Sequence, residues 1–159
     1  MRFTAWSGEE SGSERDGAAQ YVERHKDEIK NHVAAFESDL GSTKLLGFGH
    51  TGEGADVVKG VLDKYLSKIG AGHYSDNGYS ADVEPLNDLG VPIFNNYIQD
   101  TSDHFFYFQY HHTAGDSMTM MDADDLDSNV LGIATFLYII ADLNESVRKV
   151  PAATQNLLR

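Results

Sequence analysis

Apolar residues recur at every second position in some stretches and at every third or fourth in others, and this interchange predicts strands alternating with helices. Residues 2–6 read as a short strand that opens almost at the first residue, so the sequence reads as starting inside a domain. A loop of small and acidic residues follows over 7–12. Over 17–29, Ala18, Tyr21, Val22, His25 and Ile29 form a helical stripe. Residues 32–36 read as a second strand, ending at Glu37-Ser38-Asp39, and 44–48 as a weaker extended piece. Over 55–69 a second helix carries Val57, Val58, Val61, Leu62, Tyr65, Leu66 and Ile69 on one side, with Gly70 where a C-terminal cap belongs.

The second half continues the alternation. Residues 74–80 read as a polar turn, 82–89 as a short helix and 91–94 as a short buried strand. The aromatic run 105–110 reads as extended and leads into His111-His112. The last helix is the clearest. Asp122, Asp124, Asp125 and Asp127 crowd its start, where the positive end of the helix dipole favours them. Leu126, Val130, Ile133, Phe136, Leu137, Ile140 and Leu143 are its expected buried side. Such alternation predicts an α/β three-layer sandwich around a mostly parallel mixed sheet. Sites in such folds gather at the C-terminal ends of strands. By this reading, three strand ends carry Glu9-Glu10, Asp39 and His111-His112.

Composition narrows the chemistry. With 159 residues, 41% hydrophobic and 11% aromatic, the chain can bury one domain's core. Residues 1–147 read as that domain and 148–159 as a loose tail. The net charge of −13 argues against nucleic acid and against an anionic membrane surface. The longest apolar run, 130–143, contains Gly132 and Thr135 and is too short to span a bilayer. No signal peptide is visible at the N-terminus. With no cysteine, any metal must be held by His, Asp and Glu. H-E-x-x-H and G-x-S-x-G are both absent.

Three segments carry candidate chemistry. In Trp6-Ser7-Gly8-Glu9-Glu10, neighbouring carboxylates can point different ways, one toward a metal and one toward a proton on water. In Glu37-Ser38-Asp39-Leu40-Gly41, an Asp closes a strand. In His111-His112-Thr113-Ala114-Gly115-Asp116-Ser117-Met118, a His pair follows the aromatic run. On a strand, adjacent histidines would face opposite ways, so one alone would reach a given metal. Asp116 is spaced to hold a ligand imidazole by its other ring nitrogen.

In order and rough spacing, these segments together resemble the two-zinc exopeptidases, the co-catalytic zinc aminopeptidases and glutamate carboxypeptidases. The run Phe-Tyr-Phe-Gln-Tyr-His-His-Thr-Ala-Gly-Asp-Ser-Met places it closer to the glutamate carboxypeptidase branch. The resemblance implies a zinc-exopeptidase-like fold whose N-terminal strands lie outside this sequence. It implies Glu9 as general base, Glu10 and Asp39 as ligands of the two zincs and His112 as the terminal His ligand. Asp82, Asp116 and His111 would stand beside the substrate or the ligands. The implied reaction is hydrolysis of a terminal bond in a peptide or dipeptide by zinc-activated water. The implied setting is secreted, lysosomal or periplasmic.

The family's upstream His-x-Asp motif, whose Asp bridges the metals, is absent from this sequence. Without it, two zincs at the usual ~3.5–4 Å have nothing between them to screen their repulsion. Glu10, Asp39 and His112 alone would hold one zinc weakly or none. The literal match His25-Lys26-Asp27 lies downstream on an apolar helical stripe and is rejected. A sheet lacking strands would favour dimerisation or pairing with the N-terminal segment. The alternative to an enzyme is a non-catalytic relative that serves as a binding module. Gly47-Phe48-Gly49-His50-Thr51-Gly52 matches the dinucleotide fingerprint G-x-G-x-x-G, with Asp76 in range of a ribose. The weak strand before it, and the loop that the resemblance implies there, argue against that reading. Met118, Met120 and Met121 are expected to fill gaps in the core.

Overall fold

The computed structural model describes residues 1–11, 17–41, 43–99 and 106–148. Four strands form one mixed sheet: β1 (Ala35–Glu37), β2 (Leu45–Thr51), β3 (His73–Ser75) and β4 (Ile93–Ile98), in the order β1-β4-β2-β3. β1 pairs parallel with β4 and β2 parallel with β3, while β2 and β4 run antiparallel. The expected mixed, mostly parallel α/β sheet is therefore present.

The helices are α1 (Gly17–His25), α2 (Ala55–Lys64), α3 (Glu84–Asn87), α4 (Phe106–Tyr110) and α5 (Ala123–Asp142), with single 3-10 turns at Glu9–Ser11, Ile29–Asn31, Leu66–Ile69 and Met118–Met120. Their ends follow local chemistry. Asp122 caps α5 by accepting from the N–H groups of Asp124 (2.9 Å) and Asp125 (3.1 Å). After α2, Gly70 takes a left-handed φ of 80°, and the Ala71 N–H closes back onto the Leu66 carbonyl at 3.0 Å.

Two apolar clusters sit on opposite faces of the sheet. Neighbouring strand residues point to opposite faces. Phe36 packs with Phe48, Val58, Leu62, Phe94, Phe136 and Ile140, whereas its neighbour Ala35 packs with Ile29, Leu86 and Val91. Helices α2 and α5 therefore cover one face, and α1 and α3 the other. Phe48 stacks on Phe136 with centroids 4.1 Å apart, and Phe94 meets Phe136 edge-on at 5.3 Å. Burying each such ring is worth about 2–3 kcal/mol.

Several expectations are corrected. Residues 2–6 form no strand. Arg2 and Trp6 are drawn to α1 instead, where Arg2 hydrogen-bonds the Tyr21 hydroxyl at 2.7 Å and Trp6 meets the Tyr21 ring edge-on. The stretch with the G-x-G-x-x-G match is no loop; it is β2, buried at the centre of the sheet. Its glycines serve close packing, because a Cβ on Gly47 would lie 1.9 Å from the His73 carbonyl oxygen and one on Gly49 2.1 Å from that of Asn77. The expected turn at 74–80 gives its first residues to β3.

On α5 the buried side is Asn129, Gly132, Phe136 and Ile140, while Leu126 and Val130 are exposed, the latter at 61%. The helix is rotated because Gly132 seats against Leu45 and Asn129 donates to the Thr43 carbonyl at 2.8 Å. Leu126, Val130, Ile133 and Ala134 line a shallow groove of about 390 Å³. The methionine expectation also fails, since Met118 is 75% exposed and Met121 is exposed as well. Of the expected tail 148–159, all but Arg148 lies outside the described residues. The Arg148 guanidinium donates to the carbonyls of Ile29, His32 and Leu89. No helix among the described residues is long and apolar enough to cross a membrane.

The glycine packing makes a paired prediction. Gly47→Ala should destabilise the protein by about 3 kcal/mol or more, because backbone rather than a flexible side chain stands in the way. Gly60→Ala, in α2 with nothing within 4 Å of the added methyl, should stabilise by about 0.5–1 kcal/mol. Urea melts of the two variants beside wild type would refute the packing argument if Gly47→Ala melts like wild type.

Candidate metal centre

Glu9 and Glu10 follow no strand; they occupy the 3-10 turn Glu9–Ser11 at the end of the irregular N-terminal segment. Gly8 enters that turn with φ 85°. The segment is held at both ends. Arg2 binds Tyr21 and, at 2.9 Å, the Glu28 carboxylate, while the Ser7 carbonyl accepts the Gly17 N–H at 2.8 Å. His25 lies in the same aromatic group, its ring 4.5 Å from that of Tyr21, well inside the helical stripe and away from the acids of the site.

The His pair also departs from expectation. Residues 106–110 are helical, so His111 and His112 do not alternate across a strand. The His111 N–H continues the helix to the Tyr107 carbonyl at 2.8 Å. His112 then takes φ 60°, a conformation uncommon outside glycine. The two imidazoles consequently stack, with centroids 3.6 Å apart. His112 Nε2 meets Glu10 Oε1 at 2.5 Å, joining residues 102 apart in sequence. Glu10, His111 and His112 each bring a ligand atom within 4.8 Å of the other two.

Of the three expected ligand segments, only Asp39 follows a strand. It lies exposed just after β1 and is not one of the trio. Two residues earlier, on the same side of the extended chain, is Glu37. Its Oε2 accepts the N–H groups of Asp82 (2.9 Å) and Val83 (3.1 Å), which ties the loop before α3 to the end of β1. Half-buried, Glu37 is pushed from the ordinary 4.5 to about 7, mainly by burial and further by the Asp82 and Asp39 carboxylates, against the lowering effect of the Asp82 backbone N–H. Sequence reasoning missed Glu37. The i, i+2 spacing to Asp39 was the available signal.

Tyr107 was missed as well. Burial, and then the carboxylates of Asp39, Glu10, Glu9 and Asp116, hold its phenol above the usual range, so the hydroxyl stays protonated. Tyr79 is raised first by Glu84, then by burial and by Glu9 and Glu37. The charges of Glu9, Glu10, Asp39 and Asp116 thus act on one phenol, and the Asp82 backbone N–H is bound to Glu37.

A carboxylate oxygen with two imidazole nitrogens is a donor set that suits zinc. The Glu10 and His112 side chains are 67% and 58% exposed, and an exposed ion pair contributes at most about 1 kcal/mol. Fold stability therefore gains little from His112 facing Glu10.

Comparison with known proteins agrees with this chemistry. The model of Peptidase family M28 matches residues 1–137. Carboxypeptidase Q of Mus musculus is 31% identical over 147 residues, covering 91% of this chain and 30% of that protein. Carboxypeptidase Q of Homo sapiens is 31% identical over 146 residues with the same coverage, and that of Xenopus laevis 32%. The crystal structure of a peptidase M28 precursor from Shewanella amazonensis SB2B superposes with a TM-score of 0.73 at 28% identity, over 85% of this chain and 30% of that one. The chain thus spans less than a third of the length of the relatives it matches.

Glu37 gives the site a pH signature. Its folded value lies above its unfolded one, so its contribution to stability is complete below about pH 4.5 and is lost as pH rises toward about 7. Glu37→Gln keeps an acceptor for the two N–H groups and removes the titration. In metal-free protein, denaturant midpoints measured between about pH 4.5 and about pH 8 should fall less steeply for the variant than for wild type. Parallel curves would show that Glu37 ionises normally.

Proposed function

The chain belongs to peptidase family M28, and from that premise we propose that it carries the metal-holding part of a zinc exopeptidase that hydrolyses a terminal bond of a peptide or dipeptide. The observation that carries this reading is the meeting of Glu10 and His112 from distant parts of the chain at a solvent-facing point, with His111 beside them. Glu10 and His112 would hold the cation, His111 would offer a third donor, and Asp39 would approach from the end of β1. When bound, the cation supplies Lewis acidity toward water and the scissile carbonyl.

Glu9 sits next to Glu10 on the same turn and acts as general base. Its carboxylate takes a proton from the attacking water and delivers it to the amine nitrogen as the C–N bond breaks. Asp82 and Asp116 belong to the surrounding acidic wall, where they orient substrate or ligands. The name of the relatives favours cleavage of the carboxypeptidase kind.

A second reading is a cation-binding module without hydrolysis. It is favoured by the count of donors: among the described residues, one trio alone gathers its ligand atoms this closely, which suits one cation rather than two.

Titration calorimetry with zinc tests the shared premise. Glu10→Gln and His112→Ala should each weaken binding by more than about tenfold, the scale seen when even supporting groups around a metal are removed. Glu9→Gln should bind zinc like wild type. Dipeptide hydrolysis, assayed with the chain alone and with the remaining portion of a carboxypeptidase Q domain added in trans, then separates the readings. Glu9→Gln should lower any such activity by about 10²–10⁴-fold. Zinc binding indifferent to Glu10 and His112 would remove the metal centre. Activity indifferent to Glu9 would remove the base. A zinc-loaded chain inactive under both conditions would favour the binding module.

A further inference from the structure

We propose that Tyr107 is a positioning residue for the metal centre: its ring, between the Gly41 backbone and the His111 imidazole, sets how the histidine pair stands relative to Glu10 and to the Asp39 arm. The inference rests on the metal centre proposed above and goes beyond it by naming what aims the ligands.

Two observations carry it. First, α4 places Tyr107 and His111 four residues apart on one helical face, and their rings stack with centroids 4.6 Å apart and planes 23° apart. Since His111 stacks in turn on His112, three rings form a continuous pile that ends at the Glu10 carboxylate. A ring at its base is what keeps such a pile from tilting. Phe108 braces it from the side, edge-on to Tyr107 at 5.1 Å.

Second, the other edge of Tyr107 faces the loop that follows Asp39. A Cβ built on Gly41 would lie 3.8 Å from Tyr107 Cδ2, so the loop passes close to the ring with room for about one methyl group between them. Gly41 itself has φ +90°, which turns the chain sharply just after Asp39. The ring thus touches the histidine arm and stands near the loop that ends the β1 arm.

The aromatic ring does the positioning, so phenylalanine should substitute for it and alanine should not.

The experiment compares wild type, Tyr107→Phe, Tyr107→Ala and the control Gln109→Ala, an exposed position on the same helix. Each full chain is titrated with zinc chloride and melted thermally, and the His111 Cε1 proton is followed by NMR in metal-free protein. Tyr107→Phe and Gln109→Ala should keep zinc affinity within about threefold of wild type, and Tyr107→Ala should lose about tenfold or more, the range for groups that orient ligands. A residue with only a structural role would lower the melting temperature without changing the affinity of the folded protein. Equal affinity in Tyr107→Ala and wild type would overturn the proposal, as would an equal loss in Tyr107→Phe and Tyr107→Ala, which would assign the effect to the hydroxyl. Should wild type bind no zinc, the metal reading falls, and the NMR signal decides positioning alone. The His111 proton should be displaced upfield by the stacked ring in wild type and Tyr107→Phe, and should relax toward its free-imidazole position in Tyr107→Ala. An unmoved signal in Tyr107→Ala overturns the proposal.

Discussion

Strand β2 can lie at the centre of the sheet only because Gly47 and Gly49 have no side chains. Their neighbours are backbone carbonyls of His73 and Asn77, so no rotamer change could make room for a methyl group. That constraint draws β3 and the loop beyond it close on one side. On the other side β2 takes β4 antiparallel, and β4 in turn carries β1 parallel at the sheet's edge. The Phe48–Phe136–Phe94 stack then fixes α5 across the sheet. The placement of β1, and with it Asp39 and Glu37, follows from this chain of contacts.

The site brings charged and half-buried groups from several segments near one another. Carboxylates from the N-terminal turn, the end of β1, the loop before α3 and the segment after the His pair gather around two phenols and one half-buried glutamate. Burial and these charges together raise the ionisation of both phenols and of Glu37, for which burial is the largest cause. Glu10 meets the His112 imidazole. The left-handed turn at His112 brings its imidazole to the Glu10 carboxylate.

What was legible beforehand was the information carried by near neighbours in the chain. The Asp122 cap, the Gly70 stop and the helices α2 and α5 depend on residues three or four apart, and all of them survive with small shifts of boundary. Long-range packing decided the rest. The aromatic run before His111 has strand-like composition, yet it coils, because the helical turn lets Tyr107 stack on His111. In a strand, Gln109 would stand between those two rings. The Gly-x-Gly of β2 looks the same whether glycine admits a phosphate or a neighbouring strand, and only the presence of β3 tells the two apart. Leu126 and Val130 fit an ideal buried stripe, but Gly132 and Asn129 rotate α5 away from it.

By itself, the sequence determined the fold class and the kinds of side chain available to a metal, since composition, periodicity and motif order are properties of the chain read in one dimension. Only the tertiary structure decided that Glu10 faces His112, that His111 joins them while Asp39 stands apart, and that Tyr107 and Glu37 complete the surroundings. The reason is physical. Which side chains meet depends on the direction of each Cα–Cβ bond, and that direction is set by helix, strand or left-handed turn at the site. Those conformations were chosen here by contacts with residues up to about a hundred positions away.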